Sequence, residues 1–187
     1  MAEPLATKQV LADALKELLT THTFSKIKVN DIVEHCGINR QTFYYHFDDK
    51  YDLVNWIFFT EIFANLQQEY SSIEWDTILK LCEYFYQNLA FYRKVLLEDG
   101  PNSFTAYFGT LLRPLFRAQV MFSSIEIPDA SFYAIFFSDA ILASVRRWIL
   151  EGAKNLPQDF VLQMERACRD FALVVLEKDR DEALGGK

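Results

Sequence analysis

Between Gly37 and Lys50 the chain reads GINRQTFYYHFDDK, and nearly every side chain in it ends in a hydrogen-bonding group. Arg40 and Gln41 are the types whose forked ends match base edges in a DNA major groove, Arg onto guanine and Gln onto adenine. Tyr44 lies one helical turn from both, so it shares or adjoins their face. Asn39, Thr42, Tyr45 and His46 are neutral donors that suit phosphate oxygens. Lys50 brings a cation to the start of the next helix, where backbone N–H groups and the helix dipole already favour an anion. The chemistry on offer is base reading flanked by phosphate contacts. Taken alone, Arg40, Gln41 and Tyr44 also suit a solvated helix face, and His46 also suits a structural cap.

Other chemistries find little support. Cys36, Cys82 and Cys168 are widely spaced and give neither a disulfide framework nor a metal set, so a reducing cytoplasm is expected. His22, His35 and His46 lack metal-ligand spacing. No nucleophile–base pair or phosphate loop is visible, so no enzyme, metal or cofactor is expected. The first residues, MAEPLATKQV, lack the apolar run of a signal peptide, and no apolar stretch reaches membrane-spanning length. The net charge of −7 argues against a general nucleic-acid coat.

The elements that must hold these side chains are helices. Of 187 residues, 51% are hydrophobic and only 6 are Gly and 5 Pro, which favours long helices over a turn-rich β fold. TKQVLADALKELL puts Val10, Leu11, Ala14, Leu15, Leu18 and Leu19 on one face, with Thr7 as a candidate N-cap. VNDIVEHC is a short helix closed by Gly37, Asn39 can cap the next one, and Phe43 and Phe47 can turn inward. Two short helices joined through Gly-Ile-Asn and packed on a longer first helix form a helix-turn-helix. Asp49 then caps a long helix expected to run toward Tyr70, with Asp52 as its third-position partner. Beyond it, WDTILKLCEYFYQNL and AFYRKVLLED are two helices or one bent helix, Pro114 should kink or divide its helix, and Pro157 suits a first turn.

The segment KVNDIVEHCGINRQTFYYHFDDKYDL resembles the helix-turn-helix signature of the TetR family of bacterial transcription regulators. Gly37, Tyr44, His46, Phe47, Lys50 and Leu53 stand where that pattern has them. NRQTFYYHFDDKYDL together with RRWILEG is similar to a narrower branch that includes regulators of dihydroxyacetone-kinase operons. The resemblance implies an all-α homodimer on double-stranded operator DNA: a three-helix DNA-binding domain, residues 1–52, and a helical regulatory and dimerisation domain, residues 53–187. Lys28 departs from the family, where Thr is common; a cation replaces a cap, and we count it with the phosphate set. From residue 22 to 51 four cations balance four carboxylates. Affinity must then lean on neutral donors, helix N-termini and dimeric avidity.

Two expectations concern the larger domain. The segment from Ser131 to Ile149 is apolar on too many sides for one chain, so Phe136, Ala140, Ala143 and Trp148, with Met164 and Phe171 on the last helix, are expected to form a dimer interface. Tyr84, Tyr86, Phe91, Tyr92, Phe104, Tyr107 and Phe108 are expected either to line a pocket for a small effector or to form an ordinary core. A protein co-regulator is the alternative controller.

Overall fold

The computed structural model describes the backbone of residues 3–69, 74–121 and 129–185, and side chains over 5–66, 74–119 and 129–171. The described residues are helical, without strands. Helix α1 (Glu3–Thr21) leads through a 3-10 turn at Phe24–Lys26 to α2 (Val29–Cys36) and α3 (Arg40–His46). Next come α4 (Lys50–Phe58), a π turn at Phe59–Phe63 and α5 (Ala64–Glu69). The larger domain continues with α6 (Trp75–Gln87), α7 (Leu89–Val95), α8 (Phe104–Met121), α9 (Ala130–Leu150) and α10 (Pro157–Gly185).

The joints follow from local chemistry. Gly37 ends α2 at φ 69°, in the left-handed region where a Cβ would be strained. Asn39 Oδ1 accepts from Thr42 N–H and starts α3. Asp49 Oδ1 accepts from the N–H groups of Tyr51 and Asp52 and starts α4. Asp52 in turn accepts from the N–H of Asp48, one residue before the cap. Thr7 lies inside α1 rather than before it, and Val10 faces solvent, so the buried stripe of α1 is Leu11, Ala12, Ala14, Leu15 and Leu19. Pro114 does not divide α8. The helix after Asp49 is interrupted by the π turn, which sequence periodicity did not reveal.

One buried cluster runs from Leu11 to Val161. The expected boundary between residues 52 and 53 therefore falls inside α4, and packing continues across it. Phe58, fully buried, is the hub: Phe85 stacks on it at 5.6 Å, with Phe104 and Phe108 edge-on at 5.1 and 5.2 Å. α8 packs along α9, and α10 packs on α6.

Of the two expectations for the aromatic set, this packing supports an ordinary core for part of it. Tyr92, Phe104 and Phe108 are buried and interlocked with Phe58 and Phe85. Tyr84 and Tyr92 share a hydroxyl hydrogen bond of 2.9 Å, and burial raises the pKa of both phenols. Tyr86 is exposed and stacks on Trp148. Phe91 and Tyr107 lie half-buried at the margin of the cluster. The rings of Tyr84, Tyr92, Phe104 and Phe108 fill the core because their edges and faces satisfy one another, while Tyr107 and Phe91 border separate surface clefts of about 340 and 250 Å³. A cleft of about 490 Å³ lies elsewhere, lined by Trp75, Ile78, Phe116, Phe137, Ile141 and Cys168 among others.

The interface expectation needs one correction. Trp148 is buried within its own chain, stacked on Phe160 at 4.8 Å and donating from Nε1 to Asn155 O. Met164 is half-buried against the same core. Phe136, Ala140, Ala143 and Phe171 are exposed.

Candidate nucleic-acid interface

α3 is short, so what it shows to solvent is decided by what it buries. Phe43 and Phe47 are almost wholly buried, and Phe47 packs on Trp56 at 5.9 Å. Burying each ring contributes roughly 1.5–3 kcal/mol. Lys8 lies over both Phe47 and Trp56, at 5.0 and 5.7 Å from the ring centroids. With that face anchored on α1 and α4, Arg40, Gln41, Tyr44 and Tyr45 are left exposed. Tyr45 is 81% exposed, far more than a packing role allows.

The exposed face is organised. Arg40 Nη2 donates to the Tyr44 hydroxyl at 3.2 Å, and its guanidinium sits 5.4 Å from the Tyr44 ring centroid. The long Arg side chain is thereby partly ordered before any ligand arrives, which lowers the entropy lost on contact. Gln41 projects beside it without a side-chain partner among the described contacts.

The phosphate set divides. Asn39 uses its carbonyl oxygen as the cap and keeps its amide donors free for other use. Thr42 donates its hydroxyl to Asn39 Oδ1 at 3.0 Å, so its proton already serves the cap. Tyr45 and His46 meet edge-to-face at 5.0 Å at the end of α3. Lys28 is exposed at the start of α2, where its backbone N–H donates to Asp31 at 2.7 Å.

Lys50 is redirected. Its ammonium faces inward and donates to Phe24 O at 2.6 Å and Ile27 O at 2.9 Å, with Ser25 O at 3.4 Å. It also lies 4.4 Å from the Phe24 ring centroid. Burial lowers its pKa, while the carboxylates of Glu98, Asp49 and Asp31 oppose that shift. The expected phosphate contact is thus replaced by a clamp on the 3-10 turn that joins α1 to α2. Lys50→Met should destabilise the protein by about 1–3 kcal/mol, since it removes the ammonium's hydrogen bonds to the part-buried Phe24 and Ile27 carbonyls. It should leave the slope of log affinity against log salt unchanged. Urea unfolding and salt titration of DNA binding measure the two effects, and a slope reduced by about one for each Lys50 on the DNA would return Lys50 to the phosphate set.

Sequence reasoning missed Lys94. Its ammonium reaches from α7 to the carbonyls of Leu19, Thr20 and His22 at the end of α1. A separation of more than seventy residues leaves no local signal for such a contact. It also missed Glu61, which pairs with Lys16 of α1 and accepts from the Tyr84 hydroxyl at 2.7 Å.

Among the described residues no group of three or more His, Cys, Asp and Glu could hold a metal ion. Cys82 is buried, and burial pushes its thiol up to about 12, which keeps it protonated. No helix among the described residues is long and apolar enough to cross a membrane.

An exposed, capped short helix seated on two others is the arrangement that comparison with known proteins meets. Residues 11–57 match the family described as bacterial regulatory proteins, tetR family, and residues 74–170 match a transcriptional regulator C-terminal region of the TetR group. The chain belongs to the TetR family of transcriptional regulators. It is similar to the HTH-type dhaKLM operon transcriptional activator DhaS of Lactococcus lactis subsp. lactis (strain IL1403), at 28% identity over 157 residues, covering 81% of this chain and 84% of that protein. A solved structure of the dihydroxyacetone kinase operon activator DhaS superimposes with a TM-score of 0.63 at 29% identity, covering 87% of this chain and 94% of the other. The crystal structure of a TetR transcriptional regulator from Streptococcus agalactiae 2603V shares the fold, with a TM-score of 0.63 at 22% identity over 87% of this chain and 95% of that one. A TetR-family regulator carries its DNA-binding module at the N-terminus and a helical domain behind it, and this chain has both.

Proposed function

We propose that this TetR-family regulator acts as a cytoplasmic homodimer on a palindromic operator, reading bases through Arg40, Gln41 and Tyr44. The observation that carries the reading is the exposed part of α3, whose Arg40 is held by Tyr44 while buried Phe43 and the buried C-cap residue Phe47 anchor the helix. Phosphates are met by Asn39, Tyr45, His46 and Lys28, with Thr42 supporting Asn39. Two-fold protein symmetry requires matching half-sites, about 34 Å or one helical turn apart or a multiple of it. In vitro selection from random duplexes with the purified protein tests this. Paired inverted half-sites are expected; an unenriched pool, or a single asymmetric site, overturns it.

Dimerisation through α9 and α10 is supported by an apolar face without cover in the single chain. Phe132, Phe136 and Phe171 are 60%, 56% and 71% exposed, and Ala140 and Ala143 lie along the same helix as small positions where a partner helix can approach. Ala143→Glu should yield a monomer, because a carboxylate buried in that contact has no partner. Light scattering at micromolar concentration distinguishes the two, and a wild-type monomer mass would sink the interface.

Control by a small ligand fits the apolar cleft at Trp75, Phe116 and Phe137 better than the filled aromatic core. Such a ligand acts by its differential affinity for two arrangements of the molecule; a 100-fold difference supplies about 2.7 kcal/mol. A protein co-regulator remains the second reading. The likeness to DhaS, an operon activator, makes an operon the natural target.

A further inference from the structure

The DNA-binding module is joined covalently to the rest of the chain through α4 alone. A module held by one helix could swing about it, and the π turn at Phe59–Phe63 breaks the regular hydrogen-bond ladder of that helix. The shared apolar core and the packing of α1 on α7 already limit this motion; two polar side-chain contacts add directional restraint, and both end on α1. One is Lys94 of α7, half-buried, whose ammonium donates to Thr20 O at 3.3 Å, to His22 O at 3.2 Å and to Leu19 O. The Leu19 and Thr20 carbonyls lie in the last turn of the helix, where carbonyls lack intrahelical partners and carry the negative end of its dipole, and His22 follows directly after it. α1 has no basic residue of its own in its last turn; the cation is supplied by the other domain. The second contact is a chain of polar groups. Lys16 of α1 pairs with Glu61, which sits in the π turn; Glu61 accepts from the Tyr84 hydroxyl at 2.7 Å, and Tyr84 meets the Tyr92 hydroxyl at 2.9 Å. Tyr92 is fully buried in the aromatic core. The chain therefore runs from the surface of α1 into the aromatic core of the larger domain.

We propose that Lys94 and the Lys16–Glu61–Tyr84–Tyr92 chain form a latch that fixes the angle of the DNA-binding module and so determines which half-site spacing the protein accepts. The inference rests on the dimeric, palindromic reading above. These are positioning residues: none of them is assigned to the DNA. In a two-fold dimer a small rotation of each module moves the two recognition helices apart or together, and B-DNA offers successive grooves only at fixed intervals. A rigid latch makes wrong spacing costly. A broken latch lets the modules follow the DNA, so affinity for a single half-site stays while discrimination between spacings falls.

The test uses the full chain as wild type, Lys94→Met, Lys94→Arg and Glu61→Gln. Binding is measured by fluorescence anisotropy on three duplexes: the selected operator, the same operator with one base pair inserted between half-sites, and a single half-site. Lys94→Met is expected to lose roughly tenfold of the discrimination against the inserted base pair, within the usual range of coupling between sites. Glu61→Gln should lose less, and Lys94→Arg, which keeps the charge and the donors, should restore most of it. Single half-site affinity should stay within about twofold of wild type, because the reading face is untouched. Hydrogen exchange without DNA supplies a second readout: amides of Phe59–Phe63 and of the last turn of α1 should exchange several-fold faster in Lys94→Met, with those of α3 unchanged. Wild-type discrimination in Lys94→Met overturns the latch, as does unchanged exchange. An equal loss on all three duplexes also overturns it, because that marks damage to the module itself. If the wild type selects no paired half-sites, the operator reading fails and the spacing role with it; exchange then still shows whether Lys94 holds the module.

Discussion

Arg40→Ala is expected to weaken binding to the selected operator by about 2–6 kcal/mol, about 1–3 at each of two half-sites, or roughly 30-fold to 10⁴-fold in affinity. The reason is geometric. Arg40 stands exposed at the start of α3 while Phe43 and Phe47 are buried, and the Tyr44 hydroxyl and ring hold its guanidinium at 3.2 and 5.4 Å. A forked donor fixed on a rigid helix loses little freedom when it meets a base edge. The variant should bind all sequences at one base pair of each half-site nearly alike, while affinity for unrelated DNA changes little. Gln41→Ala should relax a neighbouring position in the same way. Tyr44→Phe keeps the ring under Arg40 and removes the hydroxyl bond, so its effect should be smaller than that of Arg40→Ala. Anisotropy titrations against the operator and its single-base variants give these numbers. Unchanged affinity and unchanged base preference in Arg40→Ala would mean that the reading face is misassigned.

The second large effect concerns stability. Phe58→Ala should destabilise the protein by about 3–5 kcal/mol, the usual loss for a buried aromatic ring whose site cannot collapse. Phe58 touches Phe63, Tyr84, Phe85, Tyr92, Phe104 and Phe108, drawn from α6, α7, α8 and the π turn. Five elements, its own included, would thus border the cavity, and none can shift alone to fill it. For a chain of this length the melting temperature should fall on the order of 10 °C. Denaturant unfolding measures the free energy directly; a loss below about 1 kcal/mol would show that the aromatic cluster is loosely packed and has room for a guest. The same measurement therefore bears on control. A tight cluster leaves effector binding to the cleft at Trp75 and Phe137, or to a protein surface.

What the sequence determined by itself was local. Cap residues, the Gly37 turn and the alternation of Phe43 and Phe47 with polar neighbours are properties of a few adjacent residues, and they placed α2, α3 and the start of α4 correctly. The exposed side of α3 followed, because Phe43 on the helix and Phe47 at its C-cap are buried. Signals of this kind survive without tertiary information because each partner lies within one or two turns.

The tertiary structure decided everything that depends on partners distant in the chain. Periodicity marks a residue as apolar but not as core or interface: Trp148 turned inward onto Phe160, while Phe136 stayed exposed on the same helix. Composition marked the aromatic run as a pocket or a core, and only the ring contacts around Phe58 showed it filled. Charge type could not say where a flexible cation points. Lys50 and Lys94 are both long side chains, and each ends on backbone carbonyls at the ends of distant helices and turns, where carbonyls have acceptor capacity to spare. The π turn in the α4–α5 run has the same origin: its extra residue leaves the apolar count of the helix nearly unchanged, and only the contacts of Glu61 with Lys16 and Tyr84 show what it positions.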